Sequence, residues 1–211
     1  MKQLTVTRIA IKDTQSTYEQ EQVLNALPKQ SIEEVPWKTY PYKPTVQFAA
    51  GYNDTHLFLK YFVTEKVIRA VNSVVNSPVW QDSCVEFFIG FDEAGYYNFE
   101  FNCVGTALAG YGPSKTKRNL LPEPIVRQIV TRAFIARQPN SKGIQWELTI
   151  CIPLTTFIHH PSLTLLGLQC RGNFYKCGDL LPEPHFVTWS AIEAATPNFH
   201  LPAYFGHLHF K

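Results

Sequence analysis

The chain lacks a second methionine, a glycine-rich phosphate loop, a CxxC pair, a long apolar run and a basic stripe, and each gap excludes a class of function. With Met1 the only methionine in 211 residues, haem held by methionine is not expected, and no histidine pairing for bis-histidine ligation is evident. The five cysteines, Cys84, Cys103, Cys151, Cys170 and Cys177, are odd in number and show neither zinc-ribbon spacing nor a disulfide framework. Four fall in strand-like segments, where free thiols act as small apolar side chains, which fits a reducing compartment. No stretch approaches the ~20 apolar residues that span a bilayer, so a soluble protein without membrane insertion is expected. The opening Met-Lys-Gln-Leu-Thr-Val-Thr-Arg lacks the apolar core of a secretory leader. The cytoplasm is the default location, with the periplasm or exterior following only if a leader has been removed. Lys and Arg number 19 against 17 Asp and Glu, a net charge of +2 spread along the chain, so nucleic acid is not an expected partner. Neither a Gly-x-Ser-x-Gly elbow nor a phosphate-cradling loop is present.

What is there is apolar and aromatic. Hydrophobic residues make up 45% of the chain and aromatics 14%, enough for one packed core, and a single domain is expected. Residues 1–44 are polar and interrupted by Pro28, Pro36, Pro41 and Pro44, which predicts an N-terminal arm packed on a domain spanning 45–211. Beyond it the pattern has period two. Leu57, Leu59, Tyr61 and Val63 alternate with Phe58, Lys60, Phe62 and Thr64. Val85, Phe87, Ile89 and Phe91 oppose Glu86, Phe88 and Gly90; Tyr97, Phe99, Phe101 and Cys103 oppose Asn98, Glu100 and Asn102. The short link Asp92-Glu93-Ala94-Gly95 predicts that these two form a hairpin with coincident polar faces. Further strands are expected at 144–150, 166–175 and 205–210, and a single helical turn at 153–157. Many short alternating strands with little helix predict an all-β, antiparallel two-sheet sandwich. Leu-Leu-Pro-Glu-Pro occurs at 120–124 and 180–184, but its flanks differ and no repeat architecture follows.

Three segments carry the chemistry: Trp80-Gln81-Asp82-Ser83-Cys84-Val85-Glu86-Phe87-Phe88-Ile89, Phe99-Glu100-Phe101-Asn102, and Pro197-Asn198-Phe199-His200 running on to Gly206. An indole beside carboxylates suits a sugar, since the flat ring covers the C–H face of a pyranose while polar groups bond its hydroxyls. In content and order these segments resemble the family nine carbohydrate-binding modules of the DOMON-like superfamily, over roughly residues 45–211. The resemblance implies an immunoglobulin-like or jelly-roll β-sandwich that binds a terminal sugar of a mono- or oligosaccharide without cleaving it. By motif, Trp80 corresponds to the first aromatic plate, Phe199 to the second, Glu86 to a hydroxyl acceptor and Asn102 to its amide partner. Glu100, Arg171 and Asn173 are further candidates. Two positions depart: Phe199 stands where the sugar binders carry tryptophan, and Glu100 where they carry arginine, replacing a five-donor cation by an acceptor.

Alternatives stay open. Asp82 and Glu86, about 13 Å apart along a strand, are too far separated for a glycosidase pair. Glu86 with Glu100 across the hairpin is better spaced, so a glycoside-acting enzyme is a second reading. A protein-interaction sandwich that has lost the sugar is a third. No cofactor is expected. Structural calcium is left open, because Asp92-Glu93 and Glu33-Glu34 do not spell an oxygen-ligand loop. His159-His160 and the His207/His209 pair lack a third metal ligand.

Overall fold

A computed structural model describes residues 1–11, 16–137 and 143–211. Its strands in chain order are β1 (Gln3–Arg8), β2 (Gln30–Ser31), β3 (Thr45–Tyr52), β4 (His56–Glu65), β5 (Cys84–Gly90), β6 (Tyr96–Asn102), β7 (Ala107–Gly112), β8 (Asn119–Leu120), β9 (Val130–Ala136), β10 (Ile144–Pro153), β11 (Gln169–Cys177), β12 (Phe186–Thr188) and β13 (Gly206–Phe210). Among the described residues two α-helices, α1 (Thr17–Ala26) and α2 (Glu123–Val126), join them. Among the described residues no helix is long and apolar enough to cross a membrane.

The protein is all-β, but the expected purely antiparallel pairing and clean division into two sheets give way to one mixed path: β8-β7-β6-β5-β11-β13-β1-β3-β4-β10-β9. The cause is β1. Its first residues pair in parallel with β13, from Gln3 opposite His207 to Val6 opposite Phe210. Its last two pair in parallel with β3, Thr7 opposite Gly51 and Arg8 opposite Tyr52. One strand thus passes from one half of the sheet to the other, as corner strands do. Leu4 and Val6 alternate with exposed neighbours and are buried, so residues 1–44 supply a central strand as well as covering segments. The same region holds α1, started by a Ser16–Glu19 capping box. It packs Leu24 with Ile9, Ile11, Phe58 and Cys151.

The sheet curls so that its halves face each other. Phe48 of β3 stacks on Phe174 of β11 at 3.8 Å between centroids, and Phe174 on Phe87 of β5 at 4.7 Å. The Tyr61 hydroxyl donates to the Glu86 carbonyl across the core at 3.0 Å. Pairs of this kind add about 0.5–1.5 kcal/mol each beyond burial.

Period two decides what each face of β5, β6 and β11 meets. Val85, Phe87, Ile89, Tyr97, Phe99, Phe101 and Phe174 enter the main core. Cys84, Phe88, Tyr96, Tyr175 and Cys177 face the other way, into a second cluster closed by Trp37, Val79, Ile192, Phe199 and Phe205. Residues 79–81 and 192–205 therefore form a cover over one patch of the sheet's outer face. The candidate site lies under that cover.

Candidate carbohydrate-binding site

A pocket of about 150 Å³ opens in the cover. Trp80, half-buried, and Phe199 both line it, with Glu86 and Glu100 beneath them. Trp80 sits in the turn Val79–Gln81, and its carbonyl accepts the Asp179 amide at 3.2 Å, so the loop after β11 holds its backbone. Phe199 belongs to a Pro-rich irregular segment that needs tertiary anchoring. Its ring lies parallel to Tyr175 at 4.2 Å, and its carbonyl accepts from the Tyr175 hydroxyl at 3.1 Å. With one face so covered, Phe199 is only 7% exposed and offers less surface than Trp80.

Glu86 and Glu100 are register partners on the β5–β6 hairpin and both are buried. Burial raises the Glu86 carboxyl well above its ordinary range and the neighbouring Glu100 adds to the shift, while a hydrogen bond from the Cys177 thiol opposes it. Burial likewise lifts Glu100 to about 7 despite the Arg118 guanidinium and the Asn98 amide. Asn98 donates to Glu100 Oε1 at 3.0 Å, whereas Oε2 is buried without a hydrogen-bond partner. Two carboxylates this close do not both ionise readily, so the pair retains a proton near neutrality and presents a donor and an acceptor together.

Arg118, on the β7–β8 connection, reaches the same place. Its Nη1 is 3.4 Å from Glu100 Oε1 and donates to His200 Nε2 at 2.9 Å. His200 is pushed down to about 3 by burial, then by Arg118 and Lys115, and is neutral. Since Nε2 accepts, Nδ1 carries the hydrogen and points to the Tyr96 hydroxyl at 2.9 Å. A guanidinium therefore stands beside Glu100, supplied by the β7–β8 connection.

Three of the seven expected residues lie elsewhere. Asn102 donates to the Asn72 carbonyl at 2.8 Å and Asp82 at 3.0 Å and accepts the Thr106 amide at 2.9 Å, which leaves nothing for a sugar. Asp82, fully buried, is paired with Arg69 and accepts the amides of Val71 and Asn72. Asn173 is buried and bridges to Ser190, donating at 3.0 Å and accepting at 2.9 Å. Arg171 lines a separate depression with Phe91 and Asp92 and donates to the Ala203 and Phe205 carbonyls. Arg118, His200 and Asp179 were missed because they arrive on three different loops, and loops carry no period. Only His200 lay inside a quoted motif.

The acidic pairs singled out in the sequence make local contacts among the described residues. Asp92 is taken up by the Ala94 amide and His160, and Glu33 and Glu34 face Lys2.

A profile of carbohydrate-binding family 9 matches residues 18–210. The chain belongs to that family. Family 9 modules bind carbohydrate without catalysing its cleavage. A crystal structure of a Bacteroides uniformis protein, named for an expected carbohydrate-binding role, is 37% identical, with 100% of this chain and 99% of that one covered and a TM-score of 0.92. A family 9 module from Caldicellulosiruptor kristjanssonii in complex with glucose is 16% identical, covering 100% and 96% of the two chains at a TM-score of 0.64. Its cellotriose complex is 15% identical, covering 100% and 94% at a TM-score of 0.63. At those identities the likeness is one of fold. No curated protein matches the chain in sequence.

Proposed function

We propose that the Trp80 pocket binds one terminal sugar ring of the glucose class, either free or at the end of a cello-oligosaccharide such as cellotriose. Trp80 supplies the main stacking surface and Phe199 the opposing wall. Glu86, Glu100 and Arg118 bond the hydroxyls, with His200 holding Arg118 in place. The curled sheet serves as an immunoglobulin-like sandwich whose outer face carries the site. The observation that carries this reading is the convergence of an open indole with a buried, incompletely bonded carboxyl pair in one small pocket. Stacking plus a few hydrogen bonds in a shallow site gives micromolar to millimolar affinity, on the order of 4–8 kcal/mol. The carboxyl pair acts as hydroxyl ligands and does not cut.

Calorimetric titration of glucose, cellotriose and reduced cellotriose into wild type and Trp80→Ala tests this. Saturable heat that disappears in a folded variant supports it, and loss of binding on end reduction shows a grip on the chain terminus. Silence from folded wild-type protein, or equal binding by the variant, overturns it.

A further inference from the structure

Beneath the pocket, on the same outer face of the sheet, three side chains converge that sugar binding does not explain together. Cys84 opens β5 and Cys177 closes β11, and the two are direct cross-strand partners. Glu86 follows Cys84 by two residues and so points the same way. The Cys177 thiol lies 3.2 Å from Glu86 Oε1, and the two sulfurs and a Glu86 oxygen all lie within 4.8 Å of one another. All three side chains are buried: Cys84 is 0% exposed, Cys177 1% and Glu86 4%. Cys177 and Glu86 also line the pocket, with Asp179 beside them, so the group is closed behind and open in front. Among the described residues no other set of histidine, cysteine and acidic side chains is grouped this closely.

We infer that Cys84, Cys177 and Glu86 bind a thiophilic divalent cation of the zinc class at the back wall of the pocket. Two thiolates select a soft or borderline ion and reject calcium, which needs six or more oxygens. Two sulfurs and one oxygen from the protein leave the fourth tetrahedral position facing the pocket, as in zinc sites that keep an open position. Sulfur at about 2.3 Å and oxygen at about 2.1 Å from the ion set tetrahedral ligand separations of about 3.6–3.8 Å, so the 3.2 Å contact between Cys177 and Glu86 widens slightly as an ion enters. Binding balances by proton release: each thiol gives its proton to solvent, and Glu86 gives one whenever it is protonated. The rigid pairing of β5 with β11 places the sulfurs opposite each other before any ion arrives, which separates this site from two cysteines brought together only by metal. The inference does not depend on sugar binding and can fail or stand separately from it.

Cobalt is a suitable probe, since a thiolate-bound tetrahedral ion gives a sulfur-to-cobalt charge-transfer band and intense visible bands. The full chain, reduced and freed of metal by a chelator, is titrated with Co²⁺ and back-titrated with Zn²⁺. The expected result is one equivalent bound with both bands, displaced by zinc, and both thiols then protected from a thiol reagent. Cys177→Ser should weaken binding by more than about tenfold. Because that change is buried, Glu86→Gln, which keeps both sulfurs and the side-chain shape, is a second variant expected to shift the visible bands and weaken binding. Cys170→Ser, outside the group, should leave the spectrum unchanged. No charge-transfer band in folded, reduced wild type, or a band unaltered by both ligand variants, overturns the inference. So does a Cys84–Cys177 disulfide as the resting form with no cobalt uptake after reduction.

Discussion

Two polar clusters flank each other on the outer face of β6, one centred on Asn102 with Asp82 from the loop before β5 and the other on Glu100 with Glu86, and they have opposite electrostatic characters. At the loop end, Asp82 and Asn102 are closed upon themselves. Burial raises the Asp82 carboxyl, but hydrogen bonds from Asn102 and the amides of Asn72 and Val71 outweigh it and hold the group below its ordinary value. One step further along, Glu86 and Glu100 are both held above theirs, and Glu100 Oε2 has no hydrogen-bond partner. A buried group with all its bonds made is stabilising the fold. One left incomplete beside an opening is available to a ligand. The difference separates a loop lock from the floor of the proposed sugar pocket, although both are polar residues in the same alternation.

The largest expected effect falls on the lock. Asp82→Ala removes the partner of Arg69 and leaves two amides and the Asn102 amide unbonded, and should cost about 3 kcal/mol in urea unfolding. A loss below about 1 kcal/mol would erase the distinction between the clusters. Trp80→Ala should do the reverse, weakening sugar binding by about 2 kcal/mol in calorimetry while shifting stability by less than about 1 kcal/mol.

Glu100 sharpens the comparison through pH. Its folded value of about 7 exceeds the ordinary 4.5, so the folded chain binds the proton more tightly. Its stabilising contribution is complete below about pH 4.5 and is lost as pH rises through 7. Glu100→Gln should therefore flatten that decline and leave the variant more stable at pH 8, by on the order of 2 kcal/mol. The change is read from unfolding curves across the range, and a steeper decline in the variant would contradict the assigned sign. Arg118→Ala is the smallest: about a tenfold loss of sugar affinity, near 1.4 kcal/mol, with Glu100 titrating higher still once the cation is gone.

Alternation was enough to place Glu86, Glu100 and Asn102 on one face and to pair β5 with β6, because hairpin geometry is local. It could not tell that Asn102 sits where the chain turns and needs its amide for Asn72 and Thr106. Nor could it find the partners that complete the floor. Arg118 precedes β8, Asp179 follows β11, and only the closing of distant strands brings them to Glu100 and Trp80. The mixed sheet was hidden for a similar reason. Leu4 and Val6 are two inward residues in a short polar stretch, too few to announce a strand, and β1 owes its place to β13 and β3 on either side. The partners of the buried lysines are distant in sequence as well: Lys60 lies against Glu21 and Glu147, and Lys176 against Glu65.

The most direct test of the central claim is a residue-resolved NMR titration with cellotriose, following the Trp80 indole N–H, the Arg118 guanidinium and the backbone amides of Glu86, Glu100 and His200. Saturable shifts concentrated on these signals, with Asn102, Asn173 and Arg171 unmoved, are the predicted result. Shifts that gather instead around Arg171 and Asp92, or binding that leaves the Trp80 indole unperturbed, would contradict it.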